Sequence, residues 1–366
     1  MKASICCADV SRRRRGVTRP ARPANLAAMT LAPLPAQPAD VAWPTQAWPA
    51  GDLPAALDRP RFEALLQTAF ETDALGETHA LVVVQGGRLI FERYGTGHGP
   101  DATYPSWSKA KSITQALVGL LAGEGKLDIH APADVPEWKA PGDPRAAITL
   151  DHLLRMSSGL KFVEDYVPGH VSDVIEMLFE SGKGDVAHYA ASQPLEHAPG
   201  GFWSYASGTT NIVARAAGQA AGDLKAYMFE RLFGPLGMQS PIPKFDAAGT
   251  FIGSSFCFAS ARDFARFGLL YLRGGVWEGR QLLPPGWVDY ARTPTFQQPG
   301  VTEGAYGAHW WLGVAGEGSF SANGYDGQYT IAVPDLDMVL VRHGATPLDK
   351  KDALKAWVGE FVDAFR

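Results

Sequence analysis

The chain has 366 residues, enough to bury a large core as one large domain or two packed lobes. It is 46% hydrophobic and 19% charged, and its net charge of −5 removes the electrostatic case for a nucleic-acid partner. No run reaches the roughly 20 apolar residues that a membrane-spanning helix needs, so no membrane span is expected.

Residues 1–42 are expected to form a disordered tail. Arg12 to Arg15, with Arg19 and Arg22, make it basic, and Met29 is an alternative start. No apolar segment follows these charges, as a secretory signal would require. The expected compartment is therefore the cytoplasm, with the periplasm as the alternative. Cys6 and Cys7 lie in this tail and Cys257 stands alone, which excludes a disulfide framework and a Cys-based zinc site. Pro and Ala remain frequent to about residue 58. Trp43-Pro44 and Trp48-Pro49 suit an extended arm packed on the body. Arg61 to Phe70 reads as a helix. Ala80 to Gln85, Gly86-Gly87 and Arg88 to Tyr94 then read as a hairpin.

Next comes Ser108-Lys109-Ala110-Lys111-Ser112. Ser-x-x-Lys sets a hydroxyl and an amine one turn apart on the same helix face, which supplies a weak nucleophile with a base. Ile113, Ala116, Leu117, Leu120 and Leu121 form one apolar stripe, so an amphipathic helix is predicted with Ser108 at its N-terminus. Ser106 and Lys109 repeat the same spacing one register earlier. Mostly helical signals continue to about residue 245. They include Asp151-His152, where His152 is expected to have a local role at a helix start, and the acidic loop Glu164-Asp165-Tyr166, read either as a pocket rim or as a solvated loop. Tyr205-Ala206-Ser207 offers a loop tyrosine whose acidity a nearby lysine would raise. Cys257 is expected to be a small buried hydrophobe. Gly324 and Gly327 flank Tyr325-Asp326, where close backbone approach by a ligand is expected. A strand edge there could offer a backbone N–H to an oxyanion. Thr330 to Val333 and Met338 to Val341 read as a second hairpin. Leu354, Trp357, Val358, Phe361 and Phe365 form the stripe of a final helix.

These elements predict an α+β fold: an antiparallel sheet built from both ends of the chain, flanked by N- and C-terminal helices, with a mainly helical domain inserted. The expected division is a sheet lobe of residues 43–108 and 249–366 and a helical lobe of residues 109–248, with the site between them. Gly-x-Ser-x-Gly and His-Glu-x-x-His are both absent from the sequence, so a nucleophile elbow and a zinc hydrolase motif are not expected.

In this order and at these separations, Ser108-x-x-Lys111, Tyr205-Ala206-Ser207 and Tyr325-Asp326-Gly327 resemble the three motifs of the serine β-lactamase and penicillin-binding-protein superfamily. The likeness is to its class C and esterase-like branch, and within that to the 6-aminohexanoate-dimer hydrolases. Leu153 to Leu160, Phe233 to Met238 and Ala259 to Gly268 resemble further family segments, so the likeness runs from about residue 43 to the C-terminus. Tyr104-Pro105, Ser112 and Gly119 fit the register that makes Ser108 the nucleophile and excludes Ser106.

The resemblance implies that Ser108 forms an acyl-enzyme on an amide or ester. Lys111 would be the base, or would hold Tyr205 deprotonated, and Tyr205 would pass a proton to the leaving group. The N–H groups of Ser108 and Gln328 would form the oxyanion hole. Ser207, Tyr325, Asp326 and Gly327 would bind substrate, with no metal or organic cofactor. Two departures bear on the substrate. Ser207 replaces the usual Asn, and Tyr325 replaces a Lys that would hold a substrate carboxylate. The alternatives are a true β-lactamase or D-amino-acid peptidase, or a penicillin-binding sensor that acylates without turnover.

Overall fold

The computed structural model describes residues 31–166, 169, 171–295 and 305–366. The expectations for residues 1–30, which include the arginine run, Cys6, Cys7 and Met29, lie outside the described residues.

Ten helices and eleven strands occur among the described residues. The helices are α1 (Arg59–Glu71), α2 (Lys109–Gly123), α3 (Leu150–Leu154), α4 (Asp173–Phe179), α5 (Val186–Ala191), α6 (Ser207–Ala221), α7 (Leu224–Met228), α8 (Ala261–Leu272), α9 (Trp287–Arg292) and α10 (Lys351–Asp363). The strands are β1 (Glu77–Gln85), β2 (Arg88–Tyr94), β3 (Thr103–Tyr104), β4 (Ile242–Pro243), β5 (Cys257–Ser260), β6 (Val276–Trp277), β7 (Arg280–Gln281), β8 (Trp311–Leu312), β9 (Phe320–Gly324), β10 (Gln328–Val333) and β11 (Met338–Ala345).

The fold is α+β. Its main sheet is antiparallel, in the order β2-β1-β11-β10-β9-β8, so the first hairpin pairs directly with the last strand. Both glycines of the first turn take positive φ (56° at Gly86, 73° at Gly87), as the tight turn between right-twisted strands requires. Alternation along β1 explains its unbroken apolar run. Ala80, Val82 and Val84 face one core with residues of α2 and α8. Leu81 and Val83 face a second core formed with α1 and α10. A strand covered on both faces needs apolar residues at every position. The C-terminal stripe is buried as expected: Leu354, Trp357, Val358, Phe361 and Phe365 all belong to that second core.

Two expectations need correction. The stripe on α2 predicted an amphipathic helix, but every residue from Lys109 to Leu121 is buried. The helix lies between β9 and β10 on one side and α6 on another, so its polar residues are interior groups. The second correction concerns the tail assigned to residues 1–42. Val41 is buried, and Arg273 donates to Gln37 Oε1 at 2.9 Å and to the Pro35 carbonyl at 3.3 Å. Buried side-chain contacts therefore hold part of that segment on the body. The arm continues with Trp43 against Trp277 (5.0 Å between ring centroids) and Trp48 beneath the Arg266 guanidinium.

Phe361 is fully buried and meets the rings of Phe62, Trp357 and Phe365 at 5.4, 4.9 and 5.7 Å. Phe361→Ala should cost about 3–5 kcal/mol, read as a lower urea midpoint at unchanged m-value.

Candidate active site

The turn before α2 is strained. Trp107 has φ 43°, a left-handed conformation that bulky residues rarely adopt. Its ring is held between Phe256 (5.6 Å) and Tyr325 (5.7 Å). Ser108 follows as the helix N-cap, and its side chain makes no capping bond. Its hydroxyl is left to Lys111 Nζ, 2.9 Å away. Ser106 differs. It is fully buried, and its Oγ accepts from Cys257 N–H at 2.9 Å and donates toward the carbonyls of Trp107 and Ser255.

Lys111 is 1% exposed. Burial pushes its pKa down to about 8, with the Glu164 carboxylate acting in the opposite direction. Its Nζ also lies 2.9 Å from Ser207 Oγ, 3.0 Å from the Ser254 carbonyl and 4.9 Å from the Tyr205 ring centroid. The hydrogens around it can be assigned. Glu164 Oε1 lies 2.6 Å from Ser207 Oγ, and its Oε2 accepts from Ser207 N–H at 2.7 Å. A carboxylate only accepts, so the Ser207 hydroxyl proton points at Glu164. Ser207 Oγ must then accept from Lys111, as the Ser254 carbonyl must. A neutral amine has two hydrogens, and these two acceptors take both. Its lone pair is left facing the Ser108 hydroxyl.

Tyr205 packs against Trp311 (5.3 Å) and edge-on to Tyr306 (5.9 Å). Met156, at φ 57°, turns its sulfur toward Ala206 N–H and the Thr209 hydroxyl. His309, also left-handed, is fixed from both sides. Its ring bonds the Leu154 carbonyl and Thr210, and its own carbonyl accepts from Ser112. These contacts join the Leu153–Gly159 segment, α2 and α6 into one support. His152 is part of the same region, and its ring nitrogen accepts from Thr149 N–H in a capping box, the local role expected for it.

At the third motif the expected space for a ligand is filled by the protein. A Cβ on Gly324 would meet the Ser106 carbonyl at 2.4 Å, and one on Gly327 would meet Arg342 Nη1 at 2.6 Å. Arg342 is fully buried and donates to the carbonyls of Asp326 (3.2 Å) and Gly327 (3.0 Å). The glycines therefore admit the nucleophile turn and this guanidinium. Asp326 is left-handed at φ 59°, and burial raises the pKa of its carboxyl against the opposing influence of Arg342 and His79. Tyr325 is partly exposed and its ring lies tilted against that of Tyr166 with centroids 4.9 Å apart, while Tyr166 donates to Glu164 at 2.7 Å.

The structure thus brings Ser108, Lys111, Tyr205 and Ser207 together, with Tyr325 joined through the rings. The sequence did not assign a role to Glu164 or the Ser254 carbonyl. Glu164 was visible only as part of an acidic loop, and a backbone acceptor leaves no sequence signal.

A model of the Beta-lactamase family matches residues 70–358. The chain belongs to the beta-lactamase family. It is a hydrolase of that family, and it is 27% identical over 290 residues to a 6-aminohexanoate-dimer hydrolase of Paenarthrobacter ureafaciens, spanning 74% of this chain and 73% of that protein. Among solved structures, a Bacillus anthracis protein named as a candidate 6-aminohexanoate-dimer hydrolase superposes with a TM-score of 0.73 at 23% identity, covering 92% of this chain and 90% of that one. A penicillin-binding-protein homologue from Caulobacter crescentus has a TM-score of 0.64 at 18% identity, covering 87% and 99%.

The Gly324 contact gives a test within this site. Gly324→Ala should lower stability by about 1–3 kcal/mol, because a backbone carbonyl must move. Gly99→Ala, whose Cβ would meet nothing within 4 Å, should not lower it. Thermal unfolding of both variants checks this.

Proposed function

We propose that this member of the beta-lactamase family cleaves esters or amides with apolar groups at the scissile carbonyl, through an acyl-enzyme on Ser108. The observation that carries the reading is the buried Lys111 amine, hydrogen-bonded to Ser108 Oγ while its other two acceptors are fixed. In this mechanism Ser108 Oγ attacks the carbonyl carbon and its proton passes to Lys111 Nζ. The Ser108 N–H, at the N-terminus of α2, stabilises the oxyanion. Gln328, expected to share that role, sits opposite Gly324 in the β9–β10 hairpin, which takes up its N–H. The carbonyl-to-heteroatom bond breaks as the leaving group takes a proton through Tyr205. Water then attacks the Ser108 ester, releasing the acid and restoring the hydroxyl. Ser207 belongs to the proton unit as a partner of Lys111, and Glu164 holds it there.

The substrate class is supported by the rings next to the nucleophile. Tyr166, Tyr325, Trp107, Phe256 and Phe179 form a continuous row, with centroids 4.9–6.2 Å apart. Phe179 is 42% exposed at its outer end. Tyr325 stands where a cation would hold a substrate carboxylate. Cleavage of 6-aminohexanoate oligomers, the activity named for the relative, is one amide within this class.

Ser108→Ala should abolish turnover of short-chain p-nitrophenyl esters, and Ser106→Ala should retain much of it. A fluorophosphonate adduct found by mass spectrometry on Ser106 would contradict the assignment. Losing one charge-assisted hydrogen bond costs about 1.5–3 kcal/mol, or roughly one to two powers of ten in kcat/KM. A chromogenic cephalosporin should therefore be a poorer substrate than the esters by at least that margin, and Tyr325→Lys should narrow the gap.

The pH profile tests the base. If neutral Lys111 is required, kcat/KM should rise with pH through about 8. The Glu164 carboxylate raises the lysine's pKa, so Glu164→Gln should move that acid limb to lower pH, by about half a unit or more. An unmoved limb would show that the Glu164 charge does not act on the base.

A further inference from the structure

Met156 follows α3 and has no named part in the mechanism above. It is 1% exposed, and its φ of 57° is left-handed. A strained residue of this kind persists where several contacts over-determine it. Two of its contacts flank Tyr205. The Met156 carbonyl accepts from Ser204 N–H at 2.9 Å, and its sulfur accepts from Ala206 N–H at 3.4 Å. One residue thus holds the backbone on both sides of Tyr205, across 50 positions of sequence.

The sulfur fills a gap left by the local sequence. Ala206 is the N-cap of α6 and has no capping side chain. In a capping box, the side chain of the third helical residue would accept the N-cap N–H. That residue is Thr209. Its hydroxyl lies 2.8 Å from the Ala206 carbonyl and 3.2 Å from the Met156 sulfur, and it donates toward both. Ala206 is buried, and the acceptor that its N–H meets is the thioether. A leucine at position 156 would fill a similar volume and leave that N–H without this acceptor.

Tyr205 is suspended between the two anchors. Met156, Trp203 and Tyr306 form a small apolar cluster, and Tyr205 and Trp311 pack against it. The Tyr205 ring centroid lies 4.9 Å from Lys111 Nζ, which is 2.9 Å from Ser108 Oγ. We infer that Met156 is the positioning residue of Tyr205, its carbonyl and sulfur together fixing the backbone that carries the phenol to the leaving group. The inference rests on the reading of Tyr205 as the group that passes a proton to that leaving group.

The test compares phenyl butyrate with p-nitrophenyl butyrate, using the full chain. The two esters share an acyl group. Phenolate is the poorer leaving group, so its departure depends more on a positioned acid. The readout is the ratio of kcat/KM values, phenyl over p-nitrophenyl. Both esters are measured on one sample, so the ratio does not depend on how much of a variant is folded. Met156→Leu, which removes the acceptor, should lower the ratio by about tenfold, a part of the effect of removing the acid in Tyr205→Phe. Met156→Gln, which restores an acceptor on an unbranched chain, should hold the ratio within about threefold of wild type. In a Tyr205→Phe background, Met156→Leu should change the ratio by less than about twofold, because the hydroxyl it positions is gone.

An unchanged ratio in Met156→Leu, or loss of both esters together, would overturn the inference where Tyr205→Phe lowers the ratio. So would an equal fall in Met156→Leu with and without the Tyr205 hydroxyl, or in Met156→Leu and Met156→Gln alike, since either result marks general loosening of the site. Failure of the underlying reading is seen separately. Tyr205→Phe with the wild-type ratio contradicts the role of Tyr205 itself, and Ser108→Ala with retained turnover contradicts the nucleophile.

Discussion

The constraint on which this site depends is the burial of the Lys111 amine. An ammonium group with 1% exposure has lost almost all of its hydration. Its remaining partners decide both its charge and its direction. Among the described residues three oxygens lie within hydrogen-bond distance of it, and one of them, Ser207 Oγ, is made an obligate acceptor by Glu164. The same desolvation that lowers the pKa makes the neutral amine available near physiological pH, and the hydrogen-bond inventory aims its lone pair. A more exposed lysine would keep its proton, and one without Ser207 and Glu164 would have no preferred orientation.

Much of the surrounding fold serves to hold that geometry. Three left-handed, non-glycine residues lie close to it in the structure: Trp107 beside the nucleophile, Met156 beneath the Tyr205 segment and His309 between α2, α3 and α6. Each is locked by contacts on more than one side. Backbone strain of this kind, of order 1–3 kcal/mol per residue, persists only where surrounding structure over-determines it. The beta-lactamase family architecture supplies that support by burying α2 on every side, at the junction of sheet and helices. The correction to the amphipathic reading of α2 is therefore part of the mechanism. A helix with one wet face could not carry a lysine as dry as Lys111.

What was legible in the sequence follows from what is periodic or locally spaced. The two hairpins, the buried C-terminal stripe and the α+β sheet built from both chain ends all rest on apolar alternation and turn glycines. Ser108 and Lys111 were legible because one helix turn joins them. Ser207 was read as a substrate contact in place of Asn, and its bond to Lys111 spans 96 positions of sequence. Glu164 sits in a loop with no period, and only the folded chain brings it to the N-terminus of α6. Lys109 looked like a rival partner for Ser106. Its course toward His343 depends on the long-range packing of the sheet beside α2, which no local pattern encodes. The glycines of the third motif were read as positions for close approach by a ligand; the groups that crowd them are the Ser106 carbonyl at Gly324 and Leu354 and Arg342 at Gly327.

The most direct test of the account is the titration of Lys111 itself. Nuclear magnetic resonance of protein carrying carbon-13-labelled lysine side chains follows each ammonium group with pH, and Lys111→Arg identifies the resonance. The account predicts a lysine that loses its proton with a midpoint near 8. A Lys111 that stays protonated until about pH 10.4, the ordinary lysine value, would contradict it.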